Sequence, residues 1–333
     1  TTGPTRPPQT AGAGGAAADP SKAEPFLRFA NKYGESLLPF VGTEDTVAFF
    51  NFCHGVLQTY EVAALSAAST TRRAAAALEE EGLFEDVQQV LELLAHLLAK
   101  DFFDSVSDAV GSPSSPSGEA PPLVDAPGVV FFGLSTVLPL VTPDLLLIPK
   151  LCKSFFELVG HMASDHAGRF SSLPPPLNSA LFSALDFGLA HDNASVSRES
   201  LRGVEGLATD WFEAAQQGKQ RGGEVCALPI AKWLGDLFQL VIFQDAIWDR
   251  LDACADALLA LCCAAGPGIQ GLVDSIVASQ ASEAHRARLG QAFTKLFTLH
   301  QLQLGSLARA ERVKFRRNLK LFSSEARSFL RVK

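Results

Sequence analysis

The stretch FFGLSTVLPLVTPDLLLIPKLCKSFFELV, residues 131–159, carries 17 hydrophobic side chains in 29 positions. A helix that spans a membrane needs about 20 continuous apolar residues. The uncharged run at 129–141 is only 13 residues long, and Pro143 and Pro149 follow it closely. Proline removes a helical hydrogen bond but suits the first turn of a helix. We therefore predict two buried helices that meet at a corner, and we expect the second to start at Thr142-Pro143-Asp144.

The composition of the whole chain favours helices over sheets. Hydrophobic residues make up 47% and charged residues 19% of the 333 positions, whereas Tyr (2) and Trp (3) are scarce. Alanine and leucine favour helices, whereas β-branched and aromatic residues favour strands. The clearest helical period lies in 85–104, where one stripe collects Val87, Val90, Leu91, Leu94, Leu97, Leu98 and Phe102. The sequence predicts an all-α fold.

Further helices are predicted along the chain, separated by proline and glycine. One of them starts at 44. The others are predicted at 25–40, 128–141, 144–166, 176–190, 194–217, 226–246, 247–265, 268–280, 284–304 and 308–331. Grouped in antiparallel pairs, they start new pairs near 144, 194, 247 and 284, which are 37 to 53 residues apart. HEAT and armadillo units have about 40–47 residues, and their helix pairs bury their apolar faces by stacking. The predicted fold is therefore an α-solenoid of HEAT-like antiparallel helix pairs.

The predicted organisation has four segments. Residues 1–22 are a low-complexity lead that we expect to be disordered, and 23–110 form HEAT-like helices. Residues 111–126 are a Pro/Ser-rich surface loop, and 127–333 are HEAT-like C-terminal repeats. The chain starts with Thr1 and not with Met, so we expect a fragment of a longer protein. A solenoid cut at this point would expose an apolar interface, so we expect aggregation or marginal stability.

No pattern in the sequence predicts catalysis, a cofactor or a metal site. The six cysteines form no Cys-x-x-Cys pair, so we interpret them as small core hydrophobes in a reducing compartment. Gly12-Ala13-Gly14-Gly15 lacks the strand, helix and lysine of a phosphate loop. His161 and His166 are five residues apart and fall on different helix faces. Glu79-Glu80-Glu81 is interpreted as a solvated charge run at a loop. We predict a protein that is not an enzyme.

Charge is unevenly distributed along the chain. The net charge of −8 argues against a general nucleic-acid binder, yet residues 284–333 are formally +10 and residues 1–283 are −18. One arc of about 100° on the last predicted helix collects Arg309, Arg312, Arg316, Lys320, Arg327 and Arg331. We call these six residues the basic face. It either solubilises the end of the array or docks an acidic segment, which belongs to a partner or to the chain itself.

Several segments resemble a known family. FFGLSTVLPLVTPDLLLIPKLCKSFFELV (131–159) and LPPPLNSALFSALDFGLAHDNASVSRESLRGVEGLA (173–208) are similar to the C-terminal repeats of exportins. These are nuclear export receptors of the importin-β (karyopherin) superfamily. DVQQVLELLAHLLAKDFFD (86–104) resembles the helix that precedes those repeats. RLGQAFTKL (288–296) and Val332-Lys333 resemble the end of the family's sequences.

The resemblance covers residues 26–333, with departures at the Pro/Ser insertion 111–122 and the loop 218–224. It implies a curved superhelix that binds Ran-GTP and protein cargo together in the nucleus. Such a receptor crosses the nuclear pore by contacting Phe-Gly nucleoporins and shuttles between nucleus and cytoplasm. The main Ran-binding repeats of the family would precede this chain. The family has no short motif, so the resemblance assigns no role to any single residue.

The leading prediction is thus the C-terminal part of an export receptor, with acidic side chains on its inner helices facing a basic partner. The alternative is a HEAT-type scaffold that assembles a cytosolic complex without any transport cycle. Affinity for Phe-Gly repeats separates the two, because a plain scaffold should have none. Neither class needs a cofactor, a nucleic-acid partner or insertion into a membrane.

Overall fold

A computed structural model of the protein describes residues 23–70, 76–98, 125–218 and 228–330. Every secondary-structure element in these ranges is a helix, which confirms the predicted all-α class. The chain divides into two compact units, the first ending at Val137 and the second beginning at Leu138. The predictions for 1–22, and for all but the last two residues of 111–126, lie outside the described residues.

The helices are numbered in chain order. The first unit contains α1 (Glu24–Ser36), α2 (Thr43–Thr70), α3 (Ala76–Leu97) and α4 (Ala126–Val137). The second unit contains α5 (Pro149–Asp165), α6 (Pro175–Leu189), α7 (Ala194–Gln216), α8 (Ile230–Phe243), α9 (Leu251–Ala265), α10 (Gly268–Ala278), α11 (Glu283–Thr298) and α12 (Arg309–Arg327). Short 3-10 turns cover Leu38–Phe40, Leu145–Leu147, Ala167–Ser172, Asp245–Arg250 and Leu299–Gln301.

Helix α3 is the centre of the first unit, and it packs against α1 and α4. The described part of its apolar stripe is buried, as its period predicts: Val87, Val90, Leu91, Leu94, Leu97 and Leu98. Phe102, the last predicted member, lies outside the described residues. Fully burying a leucine or valine side chain contributes about 1.5–3 kcal/mol, so this stripe contributes strongly to the stability of the unit. From α1, the Asn31 side chain donates a hydrogen bond of 2.9 Å to the backbone oxygen of Gln89. The apolar stripe and this polar contact together fix α1 along α3.

In the second unit, several helices pack against the next helix but one along the chain. Helix α7 packs against both α5 and α9, whereas α6 meets α8 through a 2.5 Å hydrogen bond from Trp233 Nε1 to Asp186. Helices α5 and α7 run in the same direction, because Gly160 lies beside Glu199 and Ser164 lies beside Gly206. Arg198 near the start of α7 pairs with Asp249, two residues before α9 begins, at 3.8 Å. The starts of α7 and α9 therefore lie at the same end.

Helix α12 runs opposite to α9. Its Arg316 pairs with Asp256 on α9, and Lys320, one turn later, pairs with Asp252, one turn earlier. Helix α12 is therefore antiparallel to α9. It also packs against α8 and α11, so α12 closes the side of α9.

The structure corrects one predicted helix start and one predicted loop. The helix expected to start at Thr142-Pro143-Asp144 starts at Pro149, after a 3-10 turn. Ile148 is extended (φ −79°, ψ 112°), as the residue before a proline usually is, so the helix cannot extend back through it. Glu79-Glu80-Glu81 was interpreted as a loop, but its backbone lies inside α3. Glutamate is a good helix former, so an acidic run is compatible with a helix.

Close backbone contact between α5 and α7 depends on two glycines. A methyl group on Gly160 would lie 2.5 Å from the backbone oxygen of Glu199, and one on Gly206 would overlap the Cα atom of Ser164. In both cases the obstacle is backbone, which cannot rotate away as a side chain can. The separation of two packed helices depends on the side chains between them. Glycine at these positions lets the two backbones touch.

Replacing Gly206 with alanine tests this contact. We expect Gly206→Ala to lower the free energy of unfolding by about 1–3 kcal/mol, because the new methyl group forces the backbones apart. Gly290→Ala on α11 is the matched control, since a methyl group there meets no atom within 4 Å. It should raise stability by about 0.5–1 kcal/mol through helix propensity. Urea denaturation followed by circular dichroism measures both, and equal stability of the two variants would contradict the close contact.

Asp86 in α3 is a partly buried carboxyl in an unfavourable environment. Burial raises its pKa from 3.8 to about 6, and the nearby charges of Glu24 and Glu85 add to the effect. A carboxyl whose pKa is higher in the folded than in the unfolded state destabilises the fold when it ionises. This cost is fully present above pH 6, shrinks as the pH falls from 6 to 4, and vanishes below the unfolded-state pKa.

Asp86→Asn should therefore stabilise the first unit at pH 7, by about 1–2 kcal/mol once partial solvent screening is allowed for. The gain should shrink as the pH is lowered towards 4. Urea denaturation at the two pH values measures it. Glu44→Gln at the exposed start of α2 is the control and should give no gain. A gain for Asp86→Asn that does not change with pH would contradict the raised pKa.

A membrane-spanning helix must be both long enough and apolar enough to cross the bilayer. No single helix in the described ranges meets both requirements. One bent pair, Trp248–Ala265 with Gly268–Ala278, meets them only when its two parts are counted together, and it turns by 119° at the break.

Candidate functional site

Helix α12 carries most of the basic face, and the neighbouring side of the helix is apolar. That buried side holds Phe315, Leu319, Phe322 and Ala326. The centre of the Phe322 ring lies 4.7 Å from that of Phe293 on α11 and 6.2 Å from that of Phe238 on α8. Aromatic pairs at these separations stabilise packing beyond simple burial. This contact fixes the rotation of α12, so its basic face is turned towards α9.

The turn before α12 is fixed by polar side chains of α12 itself. Asn318 donates two hydrogen bonds of 2.9 Å to backbone oxygens at the end of α11, and Glu311 accepts one of 2.8 Å from the backbone nitrogen of Gln303. The turn includes His300 and Gln301, whose φ angles are +55° and +52°. Such angles are unfavourable for residues other than glycine, so they persist where surrounding contacts hold them. Asn318 and Glu311 supply those contacts.

Three cations of the basic face bind carboxylates of the same chain. The pairs are Arg312 with Glu205 on α7, Arg316 with Asp256 on α9, and Lys320 with Asp252 on α9. Arg316 makes two parallel hydrogen bonds, one of them 2.9 Å from Nε to Oδ1 of Asp256. The side chain of Asp256 is only 11% exposed, whereas those of Lys320 and Asp252 are more than half exposed. The Arg316–Asp256 pair is therefore the strongest of the three.

Arg327 uses its charge differently. Its Nε donates a hydrogen bond of 3.1 Å to the backbone oxygen of Val241, and Nη2 donates one to the backbone oxygen of Gln244. Its guanidinium carbon also lies 5.1 Å from the centre of the Trp248 ring. Carbonyl groups in the last turn of a helix have no partner within the helix, and basic side chains often satisfy them. Arg327 thus caps the end of α8.

The remaining members of the basic face are Arg309, which is exposed at the first position of α12, and Arg331, which lies outside the described residues. The sequence analysis offered two acidic segments for this face, one of a partner and one of the chain itself. The ion pairs of Arg312, Arg316 and Lys320 are with acidic side chains of the chain itself. Docking of a partner's acidic segment on this face stays a prediction. The sequence analysis missed the three carboxylates. One signal was available, because Asp252 and Asp256 have the same spacing as Arg316 and Lys320.

A surface groove next to Arg312 lies between the end of α5 and the second half of α7. Both signs of charge line it: Asp165, Glu205, Asp210, Glu213, Arg202 and Arg312. Arg202 lies 3.1 Å from Asp165, and Arg312 pairs with Glu205. Two of the four carboxylates that line this groove are thus neutralised by arginines of the same chain, which leaves less negative charge for a basic partner. Glu213 on the rim is exposed.

The first unit presents a surface that the sequence analysis did not identify. Five aromatic residues of α1 and α2 form it, and we call it the aromatic ledge: Phe26, Phe29, Tyr33, Phe49 and Phe52. Phe26 is 53% and Phe29 56% exposed, and both rings meet Phe52 edge-on at 6.4 and 5.8 Å. Tyr33 stacks on Phe49 at 4.6 Å. Phe26 and Phe29 are thus the exposed rings of the ledge, Tyr33 and Phe52 are partly exposed, and Phe49 is buried beneath them. Exposed apolar patches are typical of surfaces that bind proteins.

The described cysteines are buried and form no disulfide within the described ranges: Cys53, Cys152, Cys254, Cys262 and Cys263. Burial raises the pKa of Cys53 and of Cys254 to about 12, so both thiols stay protonated at neutral pH. This agrees with their interpretation as core hydrophobes, whereas Cys226 lies outside the described residues. Among the described side chains, no group of three or more His, Cys, Asp or Glu could hold a metal ion.

No known family model matches the chain. The geometry of these surfaces and the sequence resemblance are therefore the basis for a functional proposal.

The pairs on α12 differ in burial, so their loss should differ in cost. Arg316→Ala leaves Asp256 buried without its bidentate partner and should lower the free energy of unfolding by about 2–3 kcal/mol. Lys320→Ala removes an exposed pair and should cost less than about 1 kcal/mol. Urea denaturation measures both variants. Equal losses would show that burial of Asp256 does not matter.

Proposed function

We propose that the chain is the C-terminal part of a nuclear transport receptor that exports protein cargo with Ran-GTP, and that it is similar to exportin-4. The observation that carries this proposal is the helix order of the second unit. Helix α7 packs between α5 and α9, and the three start at matching ends, while α6 and α8 return the chain between them. Such a receptor passes the nuclear pore and shuttles between nucleus and cytoplasm.

This helix order supports a HEAT-like solenoid. In a solenoid each helix pair contacts mainly its neighbours, and the repeated pairs create a long surface for partners. Helices α5 and α7 begin 45 residues apart, within the roughly 40–47 of a HEAT unit. Helices α7 and α9 begin 57 residues apart, because the connection from α7 to α8 is long. A carrier of folded cargo needs a surface of this extended kind.

The aromatic ledge is where we place Phe-Gly nucleoporins. A phenylalanine from such a repeat can pack beside Phe26 and Phe29 in the edge-on geometry that these rings already adopt with Phe52. Aromatic pairs contribute about 0.5–1.5 kcal/mol beyond burial, so one ledge binds weakly and reversibly. Weak contacts suit a receptor that must move through the pore.

The second candidate is a HEAT-type scaffold for a cytosolic complex. The self-paired charges of the groove and of α12 favour it, because they leave little free acidity for a basic cargo. A scaffold has no need of the aromatic ledge as a Phe-Gly site, so the two candidates predict different binding.

Binding of a fluorescent Phe-Gly repeat peptide, followed by anisotropy, separates them. The wild-type chain should bind the peptide, and the double variant Phe26→Ser, Phe29→Ser should bind at least about fivefold more weakly. Phe187→Ser on α6 is the matched control, since Phe187 is 46% exposed but lies in the second unit. It should leave binding unchanged. No binding by the wild-type chain would favour the scaffold.

Ran dependence tests the export step itself. With the natural gene product, cargo captured in the presence of Ran locked in the GTP state should be lost when Ran carries GDP. Cargo binding that is indifferent to the nucleotide would refute export and leave the Phe-Gly result to be explained by import or anchoring.

A further inference from the structure

Helix α12 has another surface besides its basic face and its buried side. Its residues share an arc of about 80° at 100° per residue. They are Ala310, Val313, Arg317, Leu321, Ser324 and Ser328, and all six are exposed. We call this surface the outward face. None of its members belongs to the basic face, and none is used in the proposed function.

Two large aliphatic side chains stand on the outward face. Val313 is 42% and Leu321 53% exposed, whereas Phe315 and Leu319 on the same helix are fully buried. Val313 and Leu321 are eight residues apart, which is about 12 Å along a helix. Single exposed aliphatic residues are common on protein surfaces and need no explanation. Val313 and Leu321, however, lie on one stripe with a cation midway between them, which is a pattern more typical of a binding surface than scattered residues are.

That cation is Arg317, one turn from each aliphatic residue. Arg317 and Arg309 make no hydrogen bond or ion pair within the described part of the chain, and both are exposed. The acidic residues of α12 lie elsewhere. Glu311 is buried under the turn before the helix, and Glu325 pairs with Lys295 on α11 at 2.7 Å. The outward face therefore carries positive charge with no carboxylate to balance it.

We propose that the outward face of α12 docks an acidic amphipathic helix of a partner protein. Two apolar side chains of that helix, seven or eight residues apart, pack on Val313 and Leu321, and a carboxylate between them pairs with Arg317. Helices lying along an apolar stripe use this spacing, and complementary charge fixes their register. A basic helix is repelled by Arg309 and Arg317. A wholly apolar helix would cover Arg317 without giving it a partner, which is costly.

A pair of synthetic peptides probes the charge requirement. The acidic peptide is an alanine-based helix with two leucines seven residues apart and glutamates around them, and the basic peptide replaces every glutamate with lysine. With the whole 333-residue chain, fluorescence anisotropy should show binding of the acidic peptide and at least about tenfold weaker binding of the basic one. Raising the salt concentration should weaken the acidic peptide's binding. Equal binding of the two peptides, or no binding of the acidic one, overturns the proposal.

Variants of exposed residues locate the site without disturbing the core. Arg317→Glu should weaken binding of the acidic peptide at least about tenfold, and Leu321→Ser at least about threefold. Arg198→Glu on α7 is the charge-reversal control. Arg198 is also exposed, its ion pair with Asp249 is on the surface, and its reversal should leave peptide binding unchanged. Circular dichroism checks that each variant is folded. Binding that survives both Arg317→Glu and Leu321→Ser overturns the proposal. Because the Phe-Gly assay uses residues of the first unit, either hypothesis can fail without the other.

Discussion

The backbone contact between α5 and α7 is the constraint on which the second unit depends. Gly160 and Gly206 let the two helices touch along their length, and this fixes their common direction. With α7 held in this way, its start lies beside the residues that lead into α9, and its middle presents Glu205 towards α12. A side chain inserted between α5 and α7 would displace α7, and with it the carboxylate of Glu205 that pairs with Arg312 on α12.

Charge on α12 is largely neutralised by carboxylates of neighbouring helices in the second unit. Helix α12 carries an excess of basic residues, and carboxylates of α7 and α9 neutralise three of them at consecutive turns. Asp256 is the most buried of the three carboxylates, so it would carry a large penalty without its guanidinium partner. Exposed pairs such as Lys320–Asp252 add little energy but follow the same spacing. The long-range charge asymmetry of the sequence is therefore partly resolved inside the fold.

The sequence predicted the helices well because their signals are local. Pro174-Pro175-Pro176 and Gly266-Pro267-Gly268 separate helices in the sequence as they do in the structure. The start of α5 was misplaced because Pro143 and Pro149 both suit a first turn, and only the path of the chain selects the second. The basic face was found from its period, but Glu205 and Asp256 were not, since pairing across 107 and 60 residues leaves at most a matching spacing, as between Asp252 and Asp256. Phe26 and Phe29 were missed because the period of α1 predicts a broad apolar arc but not which part of that arc another helix covers.

The buried cysteines allow the transient opening of each unit to be measured. Alkylating reagents attack the thiolate, and Cys53 in the first unit and Cys254 in the second are both enclosed and protonated at neutral pH. Each thiol can be labelled only when the helices around it separate transiently. The alkylation rate of Cys53 therefore reports how often the first unit opens, and that of Cys254 how often the second unit opens. Unequal rates would show that one unit opens without the other.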